Sequence, residues 1–295
     1  ELKLPAYYDY ANDKRSDETI ISPCELIFTL KKGSDVIDME YNIDNKSKDH
    51  RLRFIFNTEI NTGDVSYSDI PFDILRHTDA EHFYATRSKS LPSTSFALLQ
   101  NRGNGYAIFN EGNHEYEHLY ERKALAFVGI RSSGIISGSI KDTPKNSKWL
   151  TNETQSLKQM RGRFGITSYK GDYETAGIAY KAKKFRNPLN AFYYTCDDIR
   201  FTSGRFAVQD TRLQEVFTLD DPYKNCKITD NKSLFTLTSK KDIYVSAVKK
   251  AEDGNGLVVR LLNLNVTTQK VKIDIDGKIY KSRMKEDTKK LLGEN

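Results

Sequence analysis

Hydrophobic residues in this chain recur at every second position, and that period constrains the fold more than any other feature. In Arg51-Leu-Arg-Phe-Ile-Phe56 the residues Leu52, Phe54 and Phe56 share one face, and Lys270-Val-Lys-Ile-Asp-Ile-Asp276 alternates without a break. A strand sends successive side chains to opposite faces, so both runs read as half-buried antiparallel strands. Comparable runs occur at 25–30, 36–43, 105–109, 125–130, 164–169, 234–238 and 243–249, separated by turn sequences such as Lys32-Gly-Ser, Asn61-Thr-Gly-Asp and Asp253-Gly-Asn-Gly256. An aromatic content of 11% favours the same reading, because flat rings pack well on pleated surfaces. One segment has helical spacing instead. Across Glu174–Phe185 the residues Ile178, Ala179, Ala182 and Phe185 form a stripe, with Asp172 placed as a cap and Pro188 after the end.

The pattern predicts an all-β chain whose strands stack or close into large sheets. With 295 residues it can bury a substantial core. Near residue 230 the strands become short and regular, which predicts a large β domain over residues 1–230 and a small β-sandwich over 231–295. The net charge of +6 is a mild excess. Its densest basic stretch, Lys181-Ala-Lys-Lys-Phe-Arg186, lies in the predicted helix and reads as a solvated face; no nucleic-acid motif accompanies it. Cys24, Cys196 and Cys226 match no zinc or redox spacing and read as free thiols of a reducing, cytoplasmic protein. No apolar run has membrane-spanning length, and no leader pattern is present. The first residue is Glu1, which fits a piece of a longer polypeptide. Self-association is compatible with the composition.

Four kinds of chemistry can be set against the residues. His114 and His118 stand four apart, but in an extended chain that separates them by roughly 13 Å, too far to share an ion; His77 and His82 have no companion carboxylate at a metal-site spacing. No metal site is therefore expected. No Gly-x-Ser-x-Gly elbow or catalytic cysteine signature occurs. Glu115 and Glu117 point to one face of a strand about 7 Å apart, a separation that permits glycoside chemistry but equally describes a polar strand edge. Gly103-Asn-Gly105 and Gly254-Asn-Gly256 border strands and no helix, so they are turns, not phosphate cradles. The residues alone thus define a large all-β protein with no catalytic residue to name.

The order of its local patterns resembles the C-terminal β region of glycoside hydrolase family 38, the α-mannosidases and mannosylglycerate-hydrolase-like enzymes. Asn45-Lys-Ser-Lys-Asp-His-Arg-Leu-Arg53 is similar to the family's N-x-x-x-D-H-R-L-R strand, and Pro71-Phe-Asp73 to its P-F-D. Tyr106–Glu117 resembles a-i-x-x-x-G-L-P-E-Y-E, with Asn113-His114 in place of Leu-Pro. Leu125–Gly134 resembles L-a-l-t-L-L-R-a-v-G, Thr151-Asn-Glu-Thr-Gln155 resembles T-P-E-A-Q, and Val248–Asn263 resembles v-K-x-a-E-d-g-x-g-l-i-l-R-l-x-N.

The resemblance implies a galactose-mutarotase-like β-sandwich, or supersandwich, followed by a smaller β-sandwich. It implies a zinc-dependent, retaining hydrolysis of α-mannosides in the parent enzyme. The zinc and nucleophile belong to an N-terminal catalytic domain absent here, so this chain would have no cofactor of its own and be inactive alone. Its partners would be that domain and the mannoside. Arg131 is the residue the resemblance offers as an arginine lent to the neighbouring active site; a salt bridge within the domain is the other reading. Glu115, Tyr116 and Glu117 are expected at the substrate rim as structural or interface residues. The alternative function is a stand-alone carbohydrate-binding or mutarotase-like module using His114 with Glu115, or His50 with Asp49.

Overall fold

A computed structural model describes residues 1–78, 89–134, 153–189, 235–241, 243–287 and 289–294. Four short strands come first: β1 (Leu2–Pro5) pairs with β4 (Thr19–Ser22), and β2 (Tyr8–Asp9) with β3 (Lys14–Arg15). Eleven strands follow: β5 (Cys24–Leu30), β6 (Ile37–Asp44), β7 (Arg51–Asn57), β8 (Ser66–Ile70), β9 (Asp73–His77), β10 (Ser90–Pro92), β11 (Phe96–Asn101), β12 (Asn104–Asn110), β13 (Glu115–Leu119), β14 (Ala124–Arg131) and β15 (Gln159–Lys170). They form an antiparallel seven-stranded sheet in the order β5-β6-β15-β12-β11-β8-β9 and a four-stranded sheet in the order β10-β13-β14-β7. Helix α1 (Ile178–Arg186) completes this part.

The alternation in the sequence decides which face each strand buries. Met39, Tyr41 and Ile43 of β6, Leu99 of β11, Ile108 of β12 and Phe164 of β15 meet Phe56, Tyr116, Leu125, Phe127 and Ile130 of the smaller sheet in one core. Phe164 is its hub: its ring lies 5.3–5.8 Å from those of Tyr41, Phe54, Phe56 and Phe127, so it ties four strands together. The intervening residues of the larger sheet, Phe96, Leu98, Ala107, Phe109 and Tyr169, form a second core on its other face, closed by Ile178 and Ala182 of α1. The predicted all-β sandwich is therefore present, as four strands over seven with a short helix behind.

The larger sheet is wider than its partner, and β5 extends past the covered area. Leu26, Phe28 and Leu30 point to the core side of the sheet yet remain 44%, 59% and 66% exposed.

The helix begins later than the spacing predicts. Asp172 caps a turn, its Oδ1 accepting from Thr175 N at 2.6 Å, but Gly177 then adopts φ 63° and the helix starts at Ile178. The basic stretch is more than a solvated face: Lys181 pairs with Asp35, Lys183 donates to Val245 O, and Arg186 Nη1 donates to Thr94 O at 2.9 Å. Gly103 occupies the two-residue turn between β11 and β12, as its sequence context requires.

Beyond the helix the described strands are β16 (Thr236–Ser239), β17 (Tyr244–Lys250), β18 (Leu257–Leu262), β19 (Val271–Asp274), β20 (Lys278–Ser282) and β21 (Lys289–Glu294), paired as β16 with β19, β17 with β18 and β20 with β21. The chain divides into two compact units, residues 1–187 with 239–270, and residues 188–238 with 271–295. The expected boundary between 230 and 231 lies outside the described residues, as do His82, Cys196 and Cys226. No helix among the described residues is long and apolar enough to cross a membrane.

Candidate functional site: two motif knots on the sandwich

The segments that carry the family resemblance come together in two places. The first is the outer face of the four-stranded sheet. Arg51 and Arg53 are two apart on β7, so they share a face, as do Glu115 and Glu117 on β13. Strand β14 runs between them and offers Ala126 and Val128, side chains small enough for an arginine to lie across. Arg51 Nη2 reaches Glu115 Oε1 at 2.8 Å, and Arg53 Nη1 pairs with Glu117 Oε2. Ser90 Oγ also donates to Glu115. Each carboxylate therefore faces an arginine, not its neighbouring glutamate. Glu115 is part exposed and Glu117 is buried.

Tyr116, between them, points the other way. It is 0% exposed, stacks on Phe127 at 5.8 Å and shares a hydrogen bond with Ser66 Oγ at 2.9 Å, so within this chain it is a core residue. Burial raises its phenol well above the usual range. Arg131 ends β14 directly opposite Arg51 and is exposed. Arg51 is engaged with Glu115, whereas the Arg131 side chain makes no hydrogen bond or ion pair among the described residues.

The second knot starts three residues after Arg131. Asp49, at φ 54°, turns the chain into β7. Its Oδ1 accepts from Tyr10 Oη at 2.6 Å, from Gly134 N at 2.8 Å and from Gln155 Nε2 at 2.7 Å. Gln155 is buried in a short turn (Glu153–Gln155), and its Oε1 accepts from Asp49 N at 2.8 Å. Ser132 Oγ lies 2.7 and 2.8 Å from Gln155 O and Oε1 and donates its one proton to either, while Asn45 Nδ2 donates to Ser156 O at 3.0 Å. Arg15 donates to Asp49 O. Asn45, Asp49, Gly134 and Gln155 belong to three separate stretches of the family pattern, and the fold gathers them into one network.

The electrostatics follow from these contacts. Burial pushes the Asp49 carboxyl up, but its donors, Tyr10 and Gln155 foremost, outweigh it and hold the group below its ordinary range. The Tyr10 phenol is raised by burial and by Asp49. Burial, followed by the Arg15 charge, lowers His50. Asp49 commits Oδ1 to the network and not to His50, and Glu115 is engaged by Arg51 and Ser90, next to an exposed His114. His77 Nε2 sits 2.9 Å from Ser68 Oγ, and His118 is buried against Tyr120. Among the described residues no three His, Cys, Asp or Glu side chains gather closely enough to hold a metal ion.

Sequence reasoning named Asp49 and the rim residues but assigned no role to Tyr10 or Gln155. Gln155 had a signal, its place in the Thr-x-Glu-x-Gln pattern; Tyr10 had none.

Fold and knots together define an antiparallel β-sandwich of four strands over seven with two polar networks built on its surface. Residues 242–294 match the family model described as "Glycosyl hydrolases family 38 C-terminal beta sandwich domain". A curated "Putative mannosylglycerate hydrolase" from Halalkalibacterium halodurans is 28% identical over 152 residues, 51% of this chain and 16% of that protein. Two solved structures share the fold at 20% identity. One is a protein in glycosyl hydrolase family 38 from Enterococcus faecalis, with a TM-score of 0.72 over 95% of this chain and 30% of that one. The other is an alpha-mannosidase from Enterococcus faecalis V583, with a TM-score of 0.65 over 92% and 26%. The chain is thus similar to the C-terminal β-sandwich domain of glycoside hydrolase family 38 over residues 242–294, shares its fold with the two solved structures, and spans less than a third of the length of each protein it matches.

Proposed function

We propose that this chain is the accessory β region of a longer, cytoplasmic α-mannosidase-like glycosidase, docked on a catalytic domain carried by another part of the polypeptide. The observation that carries this reading is coverage: nearly the whole chain superposes on family 38 structures, yet spans only 30% and 26% of their lengths. On this reading the zinc and the nucleophile of a retaining reaction lie outside this chain, whose described residues supply no set of metal ligands. Arg131 supplies a guanidinium to the neighbouring active site, where its fixed donors bind sugar hydroxyls or orient a carboxylate. The Arg51–Glu115 and Arg53–Glu117 pairs hold the strands that present it.

The test is hydrolysis of an aryl α-mannoside. The isolated chain is expected to give no turnover with or without zinc. The longer polypeptide is expected to be active, and Arg131→Lys within it to lower kcat/KM by about tenfold or more. Turnover by the isolated chain refutes the proposal.

A further inference from the structure

Strand β5 is the outermost strand of the larger sheet. β6 flanks it on one side, and its other edge has no neighbouring strand among the described residues. Sheet edges that face water usually carry lysines, prolines, inward charges or bulges that discourage further pairing. Cys24–Leu30 has no lysine, no proline and no bulge: its ladder runs from Cys24 opposite Ile43 to Leu30 opposite Ile37 without a register shift, and Glu25 is its one charged residue. Pro23 and the turn at Gly33, with φ 79°, bound the strand and do not interrupt it. Both of its faces are oily. Leu26, Phe28 and Leu30 are exposed on the core side of the sheet, and Ile27 is 47% exposed on the other. A flat, apolar, unprotected edge is a template for one more strand.

The residues along the edge decide which strand fits. A second copy of β5, antiparallel and related by a two-fold axis, pairs in a register set by the residue on that axis. With Phe28 on the axis, Phe28 meets its own copy and Leu26 meets Leu30 on one face, while Ile27 meets Thr29 and Glu25 meets Lys31 on the other. Directly opposed side chains stand about 4.5–5.5 Å apart, and opposite charges there are stabilising. Glu25 is exposed, and the Lys31 side chain is 74% exposed and reaches Asp38 at only 3.7 Å, so both are free to turn toward a partner strand. The neighbouring registers fit worse. An axis at Ile27 sets Glu25 against Thr29 and Lys31 against Pro23; an axis at Thr29 sets Lys31 against Ile27 and Lys32 against Leu26. The Phe28 register alone among these three matches apolar with apolar and charge with opposite charge. It is also closed, because each copy uses up the other's edge, whereas slipped copies leave part of the strip bare.

We propose that two copies of this chain pair through β5, antiparallel and two-fold about Phe28, joining their larger sheets into one. The pairing stands independently of the accessory-region reading, because it requires no catalytic domain. The test is sedimentation velocity of this chain over about 1–200 μM, where a reversible dimer with Kd on the order of 10 μM is expected. Phe28→Lys, at an exposed position, is expected to keep the melting temperature and weaken the dimer at least about tenfold. Glu25→Lys alone sets a lysine against Lys31, and Lys31→Glu alone sets a glutamate against Glu25; each is expected to weaken self-association about fivefold. An equimolar mixture of these two variants is expected to recover it, because every opposed charge in the mixed dimer then meets its opposite. A monomer at about 200 μM, a dimer that Phe28→Lys leaves intact, or a mixture no tighter than either variant alone overturns the proposal. A longer polypeptide that stays monomeric while its β5 amides resist hydrogen exchange assigns the edge to another part of that polypeptide, and overturns it as well.

Discussion

Replacing Asp49 by asparagine tests the second knot most directly. Asparagine tolerates the left-handed backbone that Asp49 adopts at φ 54°, so the substitution adds little strain of its own. It keeps an oxygen where Tyr10, Gly134 and Gln155 donate, but removes the charge and introduces an amide group beside them. A hydrogen bond to a charged acceptor contributes about 1.5–3 kcal/mol against about 0.5–1.5 for a neutral one. Three such differences, discounted because the site is partly open to solvent, give an expected loss of about 1–3 kcal/mol. That lowers the melting temperature by about 2–4 °C per kcal/mol for a domain of this size.

The sign with pH is also determined. The folded carboxyl titrates below its unfolded value, so its stabilisation is fully present above the unfolded carboxylate range, near about pH 4, and is lost as pH falls through the folded value. Urea unfolding at neutral and at acid pH, in wild type and Asp49→Asn, reads both effects. A gap under about 0.5 kcal/mol at neutral pH, or a gap that stays open on acidification, would refute the account of Asp49 as the charged centre of the network.

Three further outcomes are expected. His50 is depressed in the fold, so its contribution to stability falls as pH drops below its unfolded value of about 6.5 and levels off below the folded one; His50→Gln should flatten that part of the urea-midpoint profile, separate from the more acidic Asp49 transition. A double-mutant cycle of Arg53→Met with Glu117→Gln should give a coupling of about 1–3 kcal/mol, against less than about 1 kcal/mol for the more exposed Arg51–Glu115 pair. In Gly105→Ala the new methyl would sit 2.0 Å from the Tyr169 ring, so thermal melts should show a loss of about 1–3 kcal/mol that Tyr169→Leu largely relieves.

What the sequence revealed divides along the range of the interactions. Strands such as β6, β7 and β14 were legible because the period-two pattern is local and each buried face is written in consecutive residues. The start of α1 was misplaced because Gly177 breaks a stripe that hydrophobic spacing alone carries through. The knots were not legible. Arg51 meets Glu115 and Arg53 meets Glu117 across 64 residues each, and Asp49 meets Gln155 across 106, so only the sheet order brings them together. Tyr116 shows the same limit. It stands between two outward glutamates, and the parity of the strand sends it into the core.

The overhang of β5 has a practical consequence. Seven strands facing four leave one strand with an oily side toward water and an outer edge whose backbone amides and carbonyls have no neighbouring strand among the described residues. Nothing in that strip weakens the core, so a purified sample can melt at a respectable temperature and still precipitate when concentrated. For this polypeptide the limit on handling is set by stickiness at one border, and a lysine at Phe28 or Leu30 is the smallest change that would raise it.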